Sequence, residues 1–202
     1  MKYDLVIFDI DGTLCLSGKT LSEEELQLID TANPAEFKNA NLAAKIKYTC
    51  FPGVINTLEQ LKLNSVKLGI ASNGPSFRQK NKLIAAGIDN LFEKELVIIS
   101  EDLALFYHNL DTGLNYWPTE YAREEYLKRV EKPNPNMLSH ILIRANAQKQ
   151  STIYVGNAVE DFTAAQKAGL AFIRVIDKEK KGFKAEKEIH QNEFHKLIDL
   201  LK

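Results

Sequence analysis

Short apolar runs rich in β-branched residues recur along this chain, and each ends in small or polar residues. Leu5–Phe8 runs straight into Asp9-Ile10-Asp11-Gly12-Thr13. Val66–Ala71 is followed by Ser72-Asn73-Gly74, and Thr152–Val155 by Gly156-Asn157. Leu96–Ile99 and Ala171–Ile176 have the same character. Runs of this length predict strands buried on both faces. The stretches between them predict helices. Val54, Ile55, Leu58 and Leu61 recur at helical spacing over 53–64. Pro75 and Gly87 bracket a second helix in the order that helices prefer. Leu138, Ile141 and Leu142 share one face over 134–147, a further helix over 158–168 closes at Gly169, and an amphipathic helix is expected over about 185–201. This alternation predicts an α/β fold built on a doubly wound, mostly parallel sheet. Sites in such sheets lie beyond the carboxyl ends of the strands, and Asp9, Ser72 and Asn157 each stand at one.

Asp9 and Asp11 are two residues apart, which on a continued strand places both carboxylates on one face. A turn closing the strand accounts for Asp11-Gly12. It leaves Asp9, inside the apolar run, unexplained. A desolvated carboxylate must bind a cation, hold a proton or attack something. Ser72 and Asn73 precede the helix opened at Pro75; residues of this type cap helices, and beside free N–H groups they also cradle anions. Asn157 has the same capping alternative. Asp161 lies four residues on, one helical turn away on the same face.

Composition narrows the function. Among 202 residues, 26 Lys and Arg stand against 27 Asp and Glu, a net charge of −1 that gives no field for nucleic acid or an anionic membrane. Lys178, Lys180, Lys181, Lys184 and Lys187 are interleaved with Glu179, Glu186 and Glu188 and read as solvated surface. Two cysteines, Cys15 and Cys50, are too few for a disulfide framework. No stretch reads as a signal peptide or membrane span, and the expected location is cytoplasmic. His108 and His140 have no partners at zinc-like spacing, while His190 and His195 are expected on the surface of the last helix.

Two segments fall outside the alternation. One, about 15–50, carries Glu23-Glu24-Glu25. The other, about 101–131, carries Phe106, Tyr107, Tyr116, Trp117, Tyr121 and Tyr126. Such aromatics stack a base or sugar, or anchor an irregular insert to its core; the second is the more frequent use.

Four segments in order resemble the motifs of the haloacid dehalogenase-like (HAD) hydrolases, with a phosphoglycolate-phosphatase-like core. They are Asp9-Ile10-Asp11-Gly12-Thr13, Ala71-Ser72-Asn73-Gly74, Lys132-Pro133-Asn134-Pro135, and Val155-Gly156-Asn157-Ala158-Val159-Glu160-Asp161. The likeness continues through Ala164-Ala165-Gln166-Lys167-Ala168-Gly169-Leu170. It implies a single Rossmann-like core over 1–202, with small cap inserts at about 15–50 and 101–131 that overhang the site. It also implies roles. Asp9 is the nucleophile and a metal ligand. Asp11 is the general acid and base, with a metal-binding backbone carbonyl. Ser72, Asn73 and Lys132 bind the phosphoryl group, and Asn157 and Asp161 help to hold Mg2+. Asn157 departs from the family's usual Asp, so weaker magnesium binding is expected. Asp11 favours a phosphatase over a dehalogenase, because a halide leaves without a proton. The expected function is magnesium-dependent hydrolysis of a small phosphomonoester through an aspartyl-phosphate. Phosphomutase-type transfer and a catalytically weak phosphate-binding regulator are the alternatives.

Overall fold

The computed structural model describes residues 1–16, 21–177 and 183–202. Lys178, Glu179, Lys180 and Lys181, part of the basic cluster, lie outside the described residues. The strands are β1 (Leu5–Phe8), β2 (Lys67–Ser72), β3 (Val97–Ile99), β4 (Thr152–Gly156), β5 (Ala171–Ile176) and β6 (Lys187–His190). The helices are α1 (Glu23–Thr31), α2 (Pro34–Asn39), α3 (Val54–Leu63), α4 (Ser76–Ala85), α5 (Ser100–Thr112), α6 (Glu120–Val130), α7 (Asn136–Ala145), α8 (Val159–Ala168) and α9 (Leu197–Leu200). All neighbouring strands pair in parallel, in the order β3-β2-β1-β4-β5-β6.

Strand alternation divides the core into two layers. Val6, Phe8, Leu68, Ile70, Ile153 and Val155 face one layer, with Ile29, Leu58, Leu83 and Phe194. Leu5, Ile7, Ala71 and Tyr154 face the other, with Leu103, Tyr126, Leu138 and Ala164. Helices therefore cover both faces, as a doubly wound sheet requires. From β1 the chain winds outward through β2 and β3, then returns to place β4 on the other side of β1. The crevice at that reversal is where open α/β sheets bind ligands.

The expected helix over 185–201 does not form as one element. β6 pairs with β5, Ile189 opposite Val175, and only a 3-10 turn (Gln191–Lys196) and the short α9 follow. The open edge of β5 offers unpaired N–H and C=O groups, and satisfying them overrides the helical period. Phe194, Leu197 and Leu201 still reach the first core layer. His190 thus ends a strand, half-buried, and His195 stands exposed on the 3-10 turn.

The first insert holds α1 and α2, both packed on α4. Its acidic run is the first turn of α1, where Ser22 Oγ accepts from Glu25 N (3.3 Å) and Glu25 Oε2 from Ser22 N (2.8 Å), a reciprocal cap that favours negative charge. Asn81 Nδ2, from α4, donates to Ile29 O (2.8 Å) and Ala32 O (2.7 Å), filling orphan carbonyls at the end of α1. The second insert is α5 and α6. Leu103, Ala104, Tyr126 and Val130 join the second core layer, and the Trp117 ring lies 5.0 Å from His108 and 6.1 Å from Tyr126. Its inward aromatics anchor this insert to the core, while Phe106, Tyr116 and Tyr121 remain exposed.

Candidate active site

Asp9 follows β1 directly, its N–H donating to Val155 O (3.0 Å), and the residue is 7% exposed. Lys132 Nζ sits 2.7 Å from Asp9 Oδ1 and 2.7 Å from Asp161 Oδ1. The same ammonium donates to Ala71 O and Tyr154 OH, both at 3.1 Å. Burial raises the Asp9 carboxyl to about 6 despite the opposing pull of Lys132, and the Asp161 charge adds to the rise. Burial works against the Lys132 ammonium, but the charges of Asp161 and Asp9 outweigh it and hold that group above its usual value. One buried cation thus sits between two buried anions, and the set is stable only while complete.

Asp161, on α8, is fully engaged. Oδ1 accepts from Lys132 and from Tyr154 OH (2.8 Å), while Oδ2 accepts from Asn157 N (3.0 Å) and Ala158 N (2.9 Å). It caps α8 and anchors Lys132. Asn157 is therefore not the residue whose side chain caps that helix. Its Oδ1 faces Thr13 Oγ1 at 3.4 Å, and Thr13 Oγ1 also lies 3.3 Å from Asp9 Oδ2. Gly12 permits this closeness: a Cβ there would stand 2.2 Å from Asn157 Nδ2, at a φ of +78°.

Asn73 fixes Lys132 by its backbone. Asn73 Oδ1 accepts from Lys132 N (2.9 Å) and Nδ2 donates to Lys132 O (3.2 Å). Neither Ser72 nor Asn73 caps α4, whose N-cap is Pro75 without a side-chain bond. The N–H groups entering α4 have partners, Gly74 N on Ser100 Oγ (2.9 Å) and Ser76 N on Glu101 Oε2 (2.8 Å). Ser72 is buried at the end of β2, in the same crevice.

Asp11 stands three residues beyond the end of β1. The strand ends at Phe8, so its alternation does not extend to Asp11. The Asp11 carboxylate has its own donors: Tyr48 OH at 2.9 Å from Oδ1 and Lys82 Nζ at 2.6 Å from Oδ2. Lys82 and Tyr48 are both buried, and burial followed by the Asp11 charge drives the Tyr48 hydroxyl well above its usual pKa. Neither residue was legible as a site residue in the sequence. Lys82 stands in the polar run Arg78-Gln79-Lys80-Asn81-Lys82, which reads as a solvated face, and Tyr48 sits in an irregular stretch. Tyr154 was hidden inside an apolar strand. The structure thus gathers Asp9, Lys132, Asp161, Thr13 and Asn157 around one crevice, with Asp11 held alongside by separate partners.

Comparison with known proteins identifies the family and the fold. The family described as haloacid dehalogenase-like hydrolase matches residues 19–169, which take in Ser72, Asn73, Lys132, Asn157 and Asp161. A glyceraldehyde 3-phosphate phosphatase of Methanopyrus kandleri is 29% identical over 126 residues, 62% of this chain and 42% of that protein. The protein of that name from Methanothermobacter thermautotrophicus is 27% identical over 158 residues, 78% of this chain and 57% of its own. The chain thus spans about half the length of these curated relatives. Among solved structures, a HAD phosphatase from Thermococcus onnurineus superposes with a TM-score of 0.64 at 20% identity, covering 100% of this chain and 98% of that one. CbbY from Rhodobacter sphaeroides, solved in complex with phosphate, gives 0.61 at 14% identity, covering 95% and 96%. These structures share the fold. From the matched family and the motifs in one crevice, it follows that this chain belongs to the haloacid dehalogenase-like hydrolases.

Proposed function

We propose that this chain is a phosphatase that hydrolyses a small phosphomonoester through an aspartyl-phosphate on Asp9. The observation that carries this reading is the buried Asp9 carboxylate held 2.7 Å from Lys132 at the carboxyl end of a central strand. A phosphomonoester repels an incoming anion, so a nucleophile here needs positive charge around the phosphoryl oxygens. Lys132 supplies a compact cation at the attacking oxygen. Asp161 and the Asn73 amide hold Lys132 in place, and Ser72 offers a hydroxyl to the phosphoryl group. Asp9 attacks phosphorus, and the bond to the leaving oxygen breaks. Asp11 gives that oxygen a proton and then takes one from the water that hydrolyses the acyl phosphate.

The residues fit a hard divalent cation, Mg2+. Thr13 stands between an Asp9 carboxylate oxygen and the Asn157 amide oxygen, an all-oxygen donor set. The Asp11 backbone carbonyl completes it in this reading. Among the described residues no three His, Cys, Asp or Glu side chains cluster to hold a metal. In this reading Asp9 supplies a side-chain carboxylate, and Asp161, whose oxygens accept from Lys132, Tyr154 and two backbone N–H groups, joins the set directly or through water. When bound, Mg2+ supplies charge neutralisation for the phosphoryl oxygens.

The names of the relatives suggest glyceraldehyde 3-phosphate as one test substrate among other small phosphomonoesters. The deciding experiment is phosphate release from such a panel, and from p-nitrophenyl phosphate, with and without magnesium. Turnover that needs magnesium and is lost in Asp9→Asn supports the proposal. Wild-type turnover by Asp9→Asn overturns it.

A further inference from the structure

Cys15 and Cys50 flank the first insert, 35 residues apart, and their sulfurs lie 3.2 Å from each other. Both are free thiols. The backbones beside them form an isolated antiparallel bridge, Cys15 opposite Cys50. The two bonds that frame it run from Leu16 N to Thr49 O (3.1 Å) and from Phe51 N to Leu14 O (2.9 Å). Neither cysteine gives its own N–H or C=O to these bonds, so the two are a non-hydrogen-bonded pair. Such pairs hold their Cα atoms about 4.5 Å apart with side chains on one side, within the range that a disulfide spans. The sulfurs need only close by roughly 1 Å to reach the bond length of about 2.05 Å.

Their exposure differs in a useful way. Cys15 is fully buried, as a small apolar side chain would be. Cys50 is half-buried and lines a cavity of about 390 Å³ with Tyr48, Phe51, Asn56 and Ala86. Simple packing accounts for Cys15. It does not account for a second thiol pressed against the first and open to a cavity.

We propose that Cys15 and Cys50 are a reversible oxidation site, at which a peroxide closes a cross-strand disulfide at the neck of the first insert. The Cys50 thiolate attacks the O–O bond of hydrogen peroxide. An S–O bond forms, and hydroxide leaves as water with the proton lost by that thiol. Cys15 then attacks the sulfenic sulfur; the S–S bond forms, the S–O bond breaks, and the Cys15 proton leaves in a second water. Two thiols are oxidised and one peroxide is reduced to two waters. Cys50 is the half-buried thiol that opens to the cavity whereas Cys15 is fully buried, which gives Cys50 the first step. The bond ties the turn carrying Asp11, through Cys15, to the stretch carrying its partner Tyr48, and it closes the whole insert into a loop.

The test uses the full chain, folded, treated with hydrogen peroxide and then with dithiothreitol. Oxidation should remove two hydrogens from the intact mass, and both titratable thiols should be lost. A non-reducing peptide map should join the peptides holding Cys15 and Cys50. The melting temperature should rise by at least about 4 °C and fall back on reduction. In Cys15→Ser, dimedone should trap a sulfenic acid on Cys50; in Cys50→Ser, the buried Cys15 should resist labelling. Thiols that survive oxidation in the folded wild type, oxidation of Cys50 to sulfinic acid without a disulfide, or a bond between two chains would each overturn the proposal.

Discussion

Lys82 Nζ lies 2.6 Å from Asp11 Oδ2, and the Lys82 side chain is 4% exposed whereas that of Asp11 is 30% exposed. An ammonium buried on a helix that could have carried a leucine is costly unless its charge is used. Here it fixes one carboxylate oxygen while Tyr48 fixes the other. The partners sit on different elements, α4 and the end of the first insert, so the orientation of Asp11 depends on how the insert meets the core.

Lys82→Met should therefore fold, because an apolar chain of similar length fills the same space. Its kcat/KM should fall about 10- to 100-fold on an alkyl phosphomonoester, whose leaving oxygen needs a proton. On p-nitrophenyl phosphate, whose leaving group needs none, the loss should be much smaller. Lys82→Arg should recover part of the alkyl-ester rate. Equal losses on both substrates would place Lys82 outside the orientation of Asp11. If Asp11→Asn itself fails to separate the two substrates, the acid role of Asp11 is wrong instead.

Lys132→Met should cost stability as well as turnover. It leaves Asp9 and Asp161, both buried, without the cation between them. Removing one member of a buried ionic set typically costs about 3–5 kcal/mol. Urea unfolding followed by circular dichroism measures this; a change below about 1 kcal/mol would mean that the set is not coupled as its geometry indicates.

Asn157→Asp should tighten magnesium binding. The new carboxylate stands where an amide oxygen faces Thr13 Oγ1, itself beside Asp9, and a hard cation gains from the added charge. The magnesium concentration giving half-maximal activity should fall. An unchanged midpoint would remove Asn157 from the metal site.

Trp117→Ala should act on stability rather than on substrate choice. The ring packs on His108 and Tyr126 against the second core layer. Truncating a large, partly buried aromatic should cost about 1–3 kcal/mol. Relative rates across the phosphomonoester panel should keep their order. A reordered panel with unchanged melting would place Trp117 at the substrate entrance.

The apolar runs by themselves determined where the central strands lie, because a strand buried on both faces has no freedom in which residues are apolar. β1 and β5 begin and end where the runs Leu5–Phe8 and Ala171–Ile176 do, and the other expected core strands and helices differ from the observed ones by a few residues. The polar residues closing those strands were legible for the same reason: topology brings strand ends together whatever the loops do. Tertiary structure alone decided the partners. Lys82 and Tyr48 gain meaning only from packing α4 and the first insert beside Asp11, and no local pattern separates a buried lysine from a solvated one. The same holds for Asp161, whose oxygens are shared among Lys132, Tyr154 and two backbone N–H groups from three segments. It holds for the C-terminal tail, where the open edge of β5 drew Lys187–His190 into a strand against its helical spacing. Local periodicity sets which residues are buried. Pairing of charges and of sheet edges is settled between segments distant in sequence, where desolvation penalises every unmatched group.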